Sequence, residues 1–212
     1  FTADFGFIPG QYVELIGPTG IRRSYSIANS SFDDKQIELH IRAVDGGVMS
    51  NYWFNQAKVD DLLRLNGPLG TFFLRDTAGI DLVFLATGTG IAPVKSIVVA
   101  LANFVNQVRP KSVTVLWGGR TPDDLYFDFG ALVQPNEFIP VLSRAGQTWA
   151  GSRGYVQDVL LAKWSDFSNA AVYACGSNAM ISSAKSALVN AGLSPRRFFS
   201  DAFVCSAEHS SN

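Results

Sequence analysis

The sequence contains few of the residues that mark disulfide frameworks, metal sites and nucleic-acid-binding surfaces. Cys175 and Cys205 are the only cysteines among 212 residues, which excludes a disulfide framework and the paired spacing of a zinc site. Charged residues make up 17% and the net charge is −1, so no broad basic surface for nucleic acid is present. We therefore expect a reducing, cytoplasmic location, no metal, and a small molecule as the partner.

Long apolar runs are also missing. No run reaches the roughly 20 residues that span a bilayer, and no segment has the basic, apolar and small-residue order of a signal peptide. The composition is nevertheless 47% hydrophobic, enough for one large or two small domains. Because the sequence begins at Phe1, inside what resembles a strand, we expect a fragment whose first strand is missing.

The chain is organised around residues 82–93, which read Leu-Val-Phe-Leu-Ala-Thr-Gly-Thr-Gly-Ile-Ala-Pro. The apolar run 82–86 predicts a buried strand, Gly88 and Gly90 predict a tight turn, and Pro93 suits the first position of a helix that extends to about residue 105. Such a unit directs backbone N–H groups and a positive helix end at one point, which favours a phosphate. An ordinary strand-to-helix turn is the alternative, because a glycine pattern alone is weakly specific.

Short segments separated by turn residues precede this unit. They predict five strands of a small antiparallel barrel or sandwich, over residues 11–16, 24–28, 36–44, 62–66 and 71–75. A short helix is expected over residues 49–54.

From about residue 81 strands alternate with helices. We expect strands over 113–117, 138–142, 170–174 and 197–200, and helices over 155–163 and 178–191, the latter ended by Gly192. This alternation predicts a parallel sheet covered on both faces. The domain boundary is expected between residues 76 and 80, and Asp123, Asp124 and Tyr126 are expected at a helix start.

The segment Arg22-Arg23-Ser24-Tyr25-Ser26 places a guanidinium and an aromatic ring at alternate positions of one predicted strand. Alternate side chains share a face, so Arg23 and Tyr25 are suited to a common ligand. A guanidinium pairs with phosphate, and a tyrosine ring packs on a planar group. Taken alone, a solvated edge strand explains the pattern equally well.

Five motifs together resemble the ferredoxin–NADP reductase superfamily. They occur in the family's order: Arg-x-Tyr-Ser at 23–26, Gly-Gly-Val-Met-Ser at 46–50, Gly-Pro-Leu-Gly at 67–70, Gly-Thr-Gly-Ile-Ala-Pro at 88–93 and Cys-Gly-Ser at 175–177. The resemblance covers residues 9–203 and is greatest to reductases of deoxysugar biosynthesis, then to reductase components of aromatic-ring dioxygenases. It implies an antiparallel β-barrel that binds FAD (1–78), an α/β parallel-sheet domain that binds NAD(P)H (79–206) and a disordered tail (207–212).

The resemblance also implies an activity and a set of flavin-binding residues. Hydride passes from NAD(P)H to FAD, and single electrons then pass to an iron–sulfur protein or domain. The residues implied around FAD are Arg23 at the pyrophosphate, Tyr25 and Ser26 at the flavin, His40, Ile41 and Arg42 at the adenosine, and Gly47, Val48, Met49 and Ser50 at the pyrophosphate. For His40, a packed or hydrogen-bonded strand histidine is the alternative.

A second set of residues is implied around the nicotinamide dinucleotide: Thr87, Gly88, Thr89, Gly90, Pro93, Gly118, Arg120, Cys175 and Gly176. Pro93 takes the place of the third glycine of the common Rossmann fingerprint, and no acidic residue follows about twenty positions later. By resemblance, Ser26, Cys175, Asp201 and Phe203 lie near the reacting atoms. For Cys175, a small buried hydrophobe is the alternative.

The pair Ser143-Arg144 lies where NADPH-using relatives hold the 2′-phosphate, with Arg153 and Tyr155 nearby. The more similar relatives prefer NADH, so NADH is expected first and NADPH is the alternative. The Cys-x4-Cys-x2-Cys spacing of a plant-type ferredoxin is absent from this sequence, so the iron–sulfur acceptor is expected elsewhere. A stand-alone NAD(P)H:flavin reductase and a nucleotide-binding relay subunit without turnover remain the other interpretations.

Overall fold

The structure is a computed structural model that describes residues 6–17, 20–30, 36–75, 77–103, 109–132 and 136–202. It divides into two compact units, Phe1–Asp76 with Ala92–Gln107, and Thr77–Ile91 with Val108–Asn212. The first unit contains an antiparallel sheet and the second a parallel sheet, which confirms the predicted fold class. The domain bounds 1–78 and 79–206 stay a prediction, and Phe203, Cys205 and the tail 207–212 lie outside the described residues.

The described part of the first unit contains a three-stranded antiparallel sheet in the order β2-β1-β3. Its strands are β1 (Tyr12–Ile16), β2 (Arg22–Ser26) and β3 (Arg64–Leu69). Val13 and Leu15 alternate into a small core with Ile27 and Ile37. Helix α1 (Val48–Asn51) continues as a π-helical turn, Tyr52–Gln56, so the helix expected over 49–54 is confirmed with wider bounds.

Two strands predicted for this unit are wrong. Within 36–44, Leu39 makes only an isolated bridge to Ile27, because the Asn29 side chain takes the main-chain groups that a ladder needs. Asn29 Nδ2 donates to the Gln36 carbonyl (2.6 Å), and Asn29 Oδ1 accepts from the Glu38 N–H (2.9 Å). Residues 71–75 follow the left-handed Gly70 (φ 92°) as irregular chain.

Two further strands are shifted from their predicted bounds. The strand expected over 24–28 is Arg22–Ser26, because β2 pairs along its whole length with β1 and Ile27 leaves that ladder for Leu39. The strand expected over 62–66 is Arg64–Leu69, which includes the glycine and proline that the sequence pattern treated as a break. The β1–β3 ladder has an irregularity between Tyr12 and Glu14.

The second unit contains a six-stranded parallel sheet in the order β7-β6-β5-β4-β8-β9. Its strands are β4 (Asp81–Thr87), β5 (Ser112–Gly119), β6 (Glu137–Leu142), β7 (Ser152–Arg153), β8 (Ala170–Gly176) and β9 (Phe198–Ala202). The predicted strands of this region are confirmed with slightly different bounds. The two-residue β7 was not predicted, because it is too short to give a pattern.

The remaining helices of the described chain are α2 (Ile91–Asn103), α3 (Phe129–Leu132), α4 (Val156–Lys163) and α5 (Asn178–Asn190). The predicted stop at Gly192 is confirmed: its φ is 102°, and Leu193 N–H donates to the Leu188 carbonyl at 2.9 Å. The predicted helix start at Asp123 and Asp124 is a 3-10 turn, Pro122–Asp124, capped reciprocally by Thr121 and Asp124.

Helix α2 begins at Ile91, so the start predicted at Pro93 is wrong by two residues. A 3-10 turn, Gly88–Gly90, leads directly into the helix and supplies its first carbonyls. Pro93 is therefore the third helical residue, still within the first turn, where a missing N–H costs nothing. None of the helices in the described ranges is long and apolar enough to cross a membrane.

Candidate functional site

The order of the parallel strands places a crevice at the carboxyl ends of β4 and β8. From β4 the chain adds β5, β6 and β7 on one side of the sheet, then returns to add β8 and β9 on the other. Connections that leave neighbouring strands in opposite directions open a crevice at their carboxyl ends, and open α/β sheets bind ligands there. Thr87 ends β4 and Gly176 ends β8.

The Gly88–Gly90 turn packs tightly on the end of β8. A Cβ at Gly90 would overlap the carbonyl oxygen of Cys175, and a Cβ at Gly176 would overlap Thr87 Oγ1. Gly88 has a left-handed backbone (φ 55°) and open space where its Cβ would stand. The structure thus brings together the predicted Thr87, Gly88, Gly90, Cys175 and Gly176, with one side of the turn open.

Two hydrogen bonds fix this turn. Trp117 Nε1 donates to the Gly88 carbonyl at 3.0 Å, and Ser177 N–H donates to Thr87 Oγ1 at 3.4 Å. The sequence reading missed Trp117, which is fully buried on β5. Thr89 is half-buried beside these groups, and the turn leads into the 13-residue α2, whose N-terminus favours an anion.

Cys175 is fully buried and lies opposite Asp201 in the β8–β9 register. Burial raises the pKa of the Cys175 thiol well above its usual value, and the Asp201 charge raises it further. Burial also raises the pKa of the Asp201 carboxyl. The thiol is therefore neutral at physiological pH, which matches the interpretation of Cys175 as a small buried side chain and excludes a thiolate nucleophile.

The loops after β5 and β6 are joined by main-chain hydrogen bonds. Ser143 N–H donates to the Gly119 carbonyl and Arg144 N–H donates to the Arg120 carbonyl, both at 2.9 Å. Arg120 and Arg144 are exposed, and neither forms an ion pair with any carboxylate of the described residues. The main chains of Arg120 and Arg144, two exposed residues, are thus joined at the carboxyl edge of the sheet.

Gly118 and Arg153, which lie near these arginines in the sequence or the sheet, contact protein groups in the structure. Gly118 is buried against Thr87, since a Cβ there would stand 3.1 Å from Thr87 Cγ2. The Arg153 guanidinium donates to carbonyls of the loop between β6 and β7, at 3.0 Å to Ala145, 3.0 Å to Gly146 and 2.7 Å to Trp149. Arg153 therefore stabilises the loop that follows Arg144.

In the first unit, strand β2 presents Arg23 and Tyr25. The Arg23 guanidinium is exposed, and its Nη1 donates to the Arg22 carbonyl at 2.7 Å. Tyr25 is half-buried, and its hydroxyl accepts a hydrogen bond from Trp53 Nε1 at 2.9 Å. Burial raises the pKa of Tyr25 although the Trp53 bond and the Arg23 charge oppose it, so the phenol stays neutral. Ser26, at the end of the strand, is 7% exposed.

Trp53 was missed by the sequence reading. It lies in the π-helical turn and stands edge-on to Tyr25, with ring centroids 6.1 Å apart. The adjacent aromatic pair Tyr52-Trp53, directly after the predicted pyrophosphate segment, was the available signal. Because π-helical turns recur at functional sites, this position is consistent with a ligand-binding role for Tyr25.

The predicted adenosine segment contains a charge cluster that the sequence reading also missed. The Glu38 carboxylate contacts His40 Nε2 at 2.8 Å through one oxygen and Lys95 Nζ at 2.5 Å through the other. The His40 bond and then the Lys95 bond and charge lower the pKa of Glu38 to about 2. The structure shows that His40 is hydrogen-bonded, and its contact with the adenosine stays a prediction. Ile41 is half-buried and Arg42 exposed.

The short helix α1 presents its residues differently. Met49 is buried, and its Sδ fills the space where a Cβ of Gly17 would stand, so its backbone alone is available to a ligand. Ser50 Oγ accepts from the Val44 N–H at 2.9 Å and closes the loop before the helix. Gly47 is the N-cap and Val48 is exposed.

These groups fit the two predicted cofactors. The first unit offers a guanidinium for a pyrophosphate and a half-buried neutral ring for a planar group, and the second offers a glycine turn, open at Gly88, at the start of a helix. No cluster of three or more metal-ligating side chains occurs among the residues that the structure describes.

Comparison with known proteins assigns families to both parts of the chain. Residues 2–74 match the oxidoreductase FAD-binding domain family, and residues 84–186 match the oxidoreductase NAD-binding domain family. The predicted FAD and nicotinamide cofactors are thereby confirmed at the level of the domain families. The choice between NADH and NADPH stays a prediction.

Similar full-length proteins include a CDP-6-deoxy-L-threo-D-glycero-4-hexulose-3-dehydrase reductase of Yersinia pestis. It is 46% identical, and the match covers 96% of this chain and 61% of that protein. The phenol 2-monooxygenase reductase component DmpP of a Pseudomonas species is 34% identical, over 95% of this chain and 59% of that protein. The chain thus spans about three fifths of the length of the curated relatives it matches.

A solved structure is similar along most of the chain. The Amycolatopsis cytochrome P450 reductase GcoB matches with a TM-score of 0.83 and 34% identity, over 94% of this chain and 62% of that one. The predicted resemblance to the ferredoxin reductase superfamily is confirmed by these matches, as is the expectation that deoxysugar reductases and oxygenase reductase components are among the similar proteins.

Proposed function

Because the chain belongs to the ferredoxin reductase-like oxidoreductases and joins an FAD-binding domain to an NAD-binding domain, we propose that it is an FAD-dependent NAD(P)H reductase. It accepts hydride from NADH and delivers single electrons to an iron–sulfur acceptor. The observation that carries the proposal is the glycine turn at the end of β4, which is packed on Cys175 and Gly176 and open at Gly88.

The proposed nicotinamide dinucleotide site consists of Thr87–Pro93, the ends of β5 and β6, and Cys175 with Gly176. Close packing of Gly90 on β8 supports a backbone approach of the pyrophosphate, because a side chain there would displace the turn. The neutral Cys175 thiol and the Asp201 carboxyl beside it belong to the reacting end of the proposed site. Phe203, assigned to the same end by resemblance, lies outside the described residues.

The proposed FAD site extends along β2, the segment 40–42 and the start of α1. Arg23 provides charge for the pyrophosphate, and the half-buried Tyr25 ring provides a surface for the flavin. His40, Ile41 and Arg42 receive the adenosine, and Ser26 lies near the flavin N5. The domain bounds that accompany this proposal are residues 1–78 for FAD and 79–206 for NAD(P)H.

The protein's own part in the chemistry is binding and orientation. When bound, FAD would supply the chemistry that links a two-electron hydride donor to a one-electron acceptor. The Trp53 hydrogen bond holds the Tyr25 ring, the Trp117 bond holds the Gly88 carbonyl, and the neutral Cys175 side chain places no charge beside the nicotinamide. No general base or nucleophile is required, because the rate of hydride transfer depends on how the two cofactors are positioned.

The electron acceptor is proposed from the relatives. The 46% identical reductase is named for a dehydrase of a CDP-deoxyhexulose, which supports a role in deoxysugar biosynthesis. A cytoplasmic location remains part of the proposal. The 34% identical phenol 2-monooxygenase component supports the second candidate, a reductase component of an aromatic-ring oxygenase. Single-turnover oxidation of the reduced protein by a deoxysugar dehydrase or by an oxygenase component separates the two.

NADH is proposed as the first donor and NADPH as the alternative. Arg120 and Arg144, two exposed arginines whose main chains are hydrogen-bonded, are the feature that favours a 2′-phosphate. If NADPH is used, Arg144→Ala lowers kcat/KM for NADPH about tenfold and leaves NADH unchanged, as expected for a charge-assisted bond. An equal loss with both nucleotides would contradict a phosphate contact.

The central test is optical. Purified protein loaded with FAD should retain the flavin through gel filtration, lose its visible absorption when NADH is added anaerobically, and reduce ferricyanide in steady state. Gly90→Ala should slow bleaching at least tenfold, since a methyl group displaces the turn, whereas Gly146→Ala, in open space, serves as the control. An FAD-loaded protein that is not bleached by either nucleotide would refute the proposal, and released flavin would identify a stand-alone flavin reductase.

A further inference from the structure

Lys95 is an unusual residue for its position. It lies one turn into α2 among Ile91, Ala92, Val94 and Ile97, all of which are buried, and its side chain is only 10% exposed. A buried ammonium group loses hydration and is retained only where a partner compensates. A compensating partner is therefore expected at the point where the Lys95 ammonium group lies.

That point is the Glu38 carboxylate, which also holds His40. Lys95 Nζ binds one carboxylate oxygen at 2.5 Å and His40 Nε2 binds the other at 2.8 Å. The His40 side chain is 10% exposed and the Glu38 side chain 46% exposed. The carboxylate is therefore the solvent-exposed group of the cluster, and its two partners are largely buried. A carboxylate held at both oxygens fixes the direction in which the histidine nitrogen points.

The same turn of α2 makes a second bond to this segment. Ser96 Oγ donates to the Asn29 carbonyl at 2.6 Å, and the Asn29 side chain binds the main chain of Gln36 and Glu38. Lys95 and Ser96 thus reach opposite ends of one stretch of chain, the stretch that leads into residues 40–42. All of these groups belong to the first unit.

We propose that Lys95 is a positioning residue for the adenosine half of FAD. Through the Glu38 carboxylate it fixes the His40 ring, and with it residues 40–42, in the orientation that receives the adenosine. This inference rests on the proposed function, which assigns FAD to this unit. It adds a residue from α2, the helix that follows the glycine turn, to the set that determines FAD affinity.

Stability alone does not account for the cluster. Replacing both members of a buried ion pair by apolar side chains is often neutral or stabilising. Lys95→Met removes one member only, but the Glu38 carboxylate is 46% exposed and keeps its His40 bond, so water can solvate it and we expect the variant to fold. What the apolar side chain cannot do is hold the carboxylate. Lys95→Met is therefore the informative variant, and Lys95→Arg, which keeps the charge and the donors, is its conservative counterpart.

The test measures dissociation constants of FAD and of FMN, which lacks the adenosine, by flavin fluorescence. For Lys95→Met we expect the FAD constant to rise about tenfold while the FMN constant stays unchanged, as for the loss of one charge-assisted bond on the adenosine side. Lys95→Arg should recover most of the FAD affinity. Lys111→Met removes a lysine–carboxylate pair of the second unit, with Asp81, whose lysine is exposed, and should change neither constant.

Other outcomes overturn the inference. An equal rise in the FAD and FMN dissociation constants would make Lys95 a purely structural residue. No change in either constant would show that Lys95 does not position the adenosine site. If Lys95→Met does not fold, His40→Leu must show the same selective loss. If FMN binds too weakly to titrate, competition by AMP against FAD must weaken in Lys95→Met in step with FAD. A wild-type protein that binds no FAD refutes the proposed function and is thereby distinguished from failure of this inference.

Discussion

The sheets of the two units bury their strands differently. In the second unit β8 is buried along its whole length, and only the two end residues of β4 and of β5 are partly exposed. In the first unit β2 is exposed at three of its five residues and fully buried only at Ser26. The parallel sheet is thus stabilised by apolar packing on both faces, whereas the antiparallel sheet buries one face at most.

The first unit compensates with side-chain hydrogen bonds to distant main chain. The Asn29 side chain joins the segment after β2 to the irregular stretch 36–38. The Ser96 hydroxyl joins α2 to the Asn29 carbonyl, 67 positions earlier in the sequence. In the second unit the comparable bond from Asn169 to the Gly79 carbonyl is exposed. Polar side chains thus supplement a small apolar core in the first unit, whereas a much larger apolar core packs the sheet of the second.

The largest expected effect is that of Asn29→Ala. Loss of two partly buried hydrogen bonds leaves a carbonyl and an N–H unpaired, which should lower the free energy of unfolding by about 2 kcal/mol. Urea denaturation followed by circular dichroism measures it. Asn169→Ala, which removes an exposed bond in the second unit, should cost less than about 1 kcal/mol. Similar losses in the two variants would break the contrast between the units.

Trp53→Phe should have the next largest effect. It keeps an aromatic side chain at position 53 but removes the indole N–H that donates to the Tyr25 hydroxyl. Because Tyr25 is then no longer held, FAD affinity should fall about fivefold and the visible flavin band should shift. Trp149→Phe removes an indole donor to the Ser152 carbonyl in the second unit. Its flavin spectrum should match that of the wild type; a shared change would remove Trp53 from the flavin site.

The pH dependence of stability should reflect the Glu38 cluster. Because the Glu38 pKa falls from 4.5 to about 2 on folding, its contribution is complete above pH 4.5 and lost as the pH falls toward 2. Solvent screening of the half-exposed carboxylate limits that contribution to about 1 kcal/mol. The stability difference between wild type and Glu38→Gln should therefore narrow over this window.

Asp81 provides the comparison in the second unit. Burial raises the pKa of Asp81, but bonds from Ser112 and Lys111 outweigh it and the net shift is downward. The stability difference between wild type and Asp81→Asn should therefore narrow in the same direction, as the pH falls below the usual aspartate pKa. A difference between wild type and Glu38→Gln that stays constant down to pH 3 would contradict the assigned role of the cluster.

The smallest expected effects concern left-handed backbone. Asp60 has a φ of 71°, so Asp60→Gly in the first unit should stabilise by about 0.5 kcal/mol. Gly192 has a φ of 102° with open space around it, so Gly192→Ala in the second unit should destabilise by about 1 kcal/mol through backbone strain alone. Thermal unfolding measures both, and shifts of equal sign would contradict this account.

The accuracy of the sequence-based prediction follows the same division. The continuous runs at 82–86, 113–117 and 170–174 predicted the central strands, since strands buried on both faces require apolar residues throughout. The strand predicted over 36–44 was wrong. The polar residues that alternate with apolar ones there, Glu38 and His40, bond to Asn29, Lys95 and each other, and the segment forms no strand. Turn composition predicted the break at Gly67 and Pro68, yet both residues lie inside β3.

The site was predicted unevenly for a related reason. Glycines at a turn are visible in a sequence, so Gly88, Gly90 and Gly176 were found, and the structure shows which backbone groups need the space. Residues that act on a site residue from a distance were not found. Trp53, Trp117 and Lys95 each contact a predicted site residue or its partner through a bond to a distant position.

Hydrophobic period and backbone freedom are local properties, so the two-part architecture, the central parallel strands and the glycine turn could be predicted from the residues alone. The irregular course of residues 36–44, the buried neutral state of Cys175 and the Lys95–Glu38–His40 cluster became visible only in the folded chain. Those features depend on hydrogen bonds and burial between segments far apart in the chain, whose energies no local pattern records.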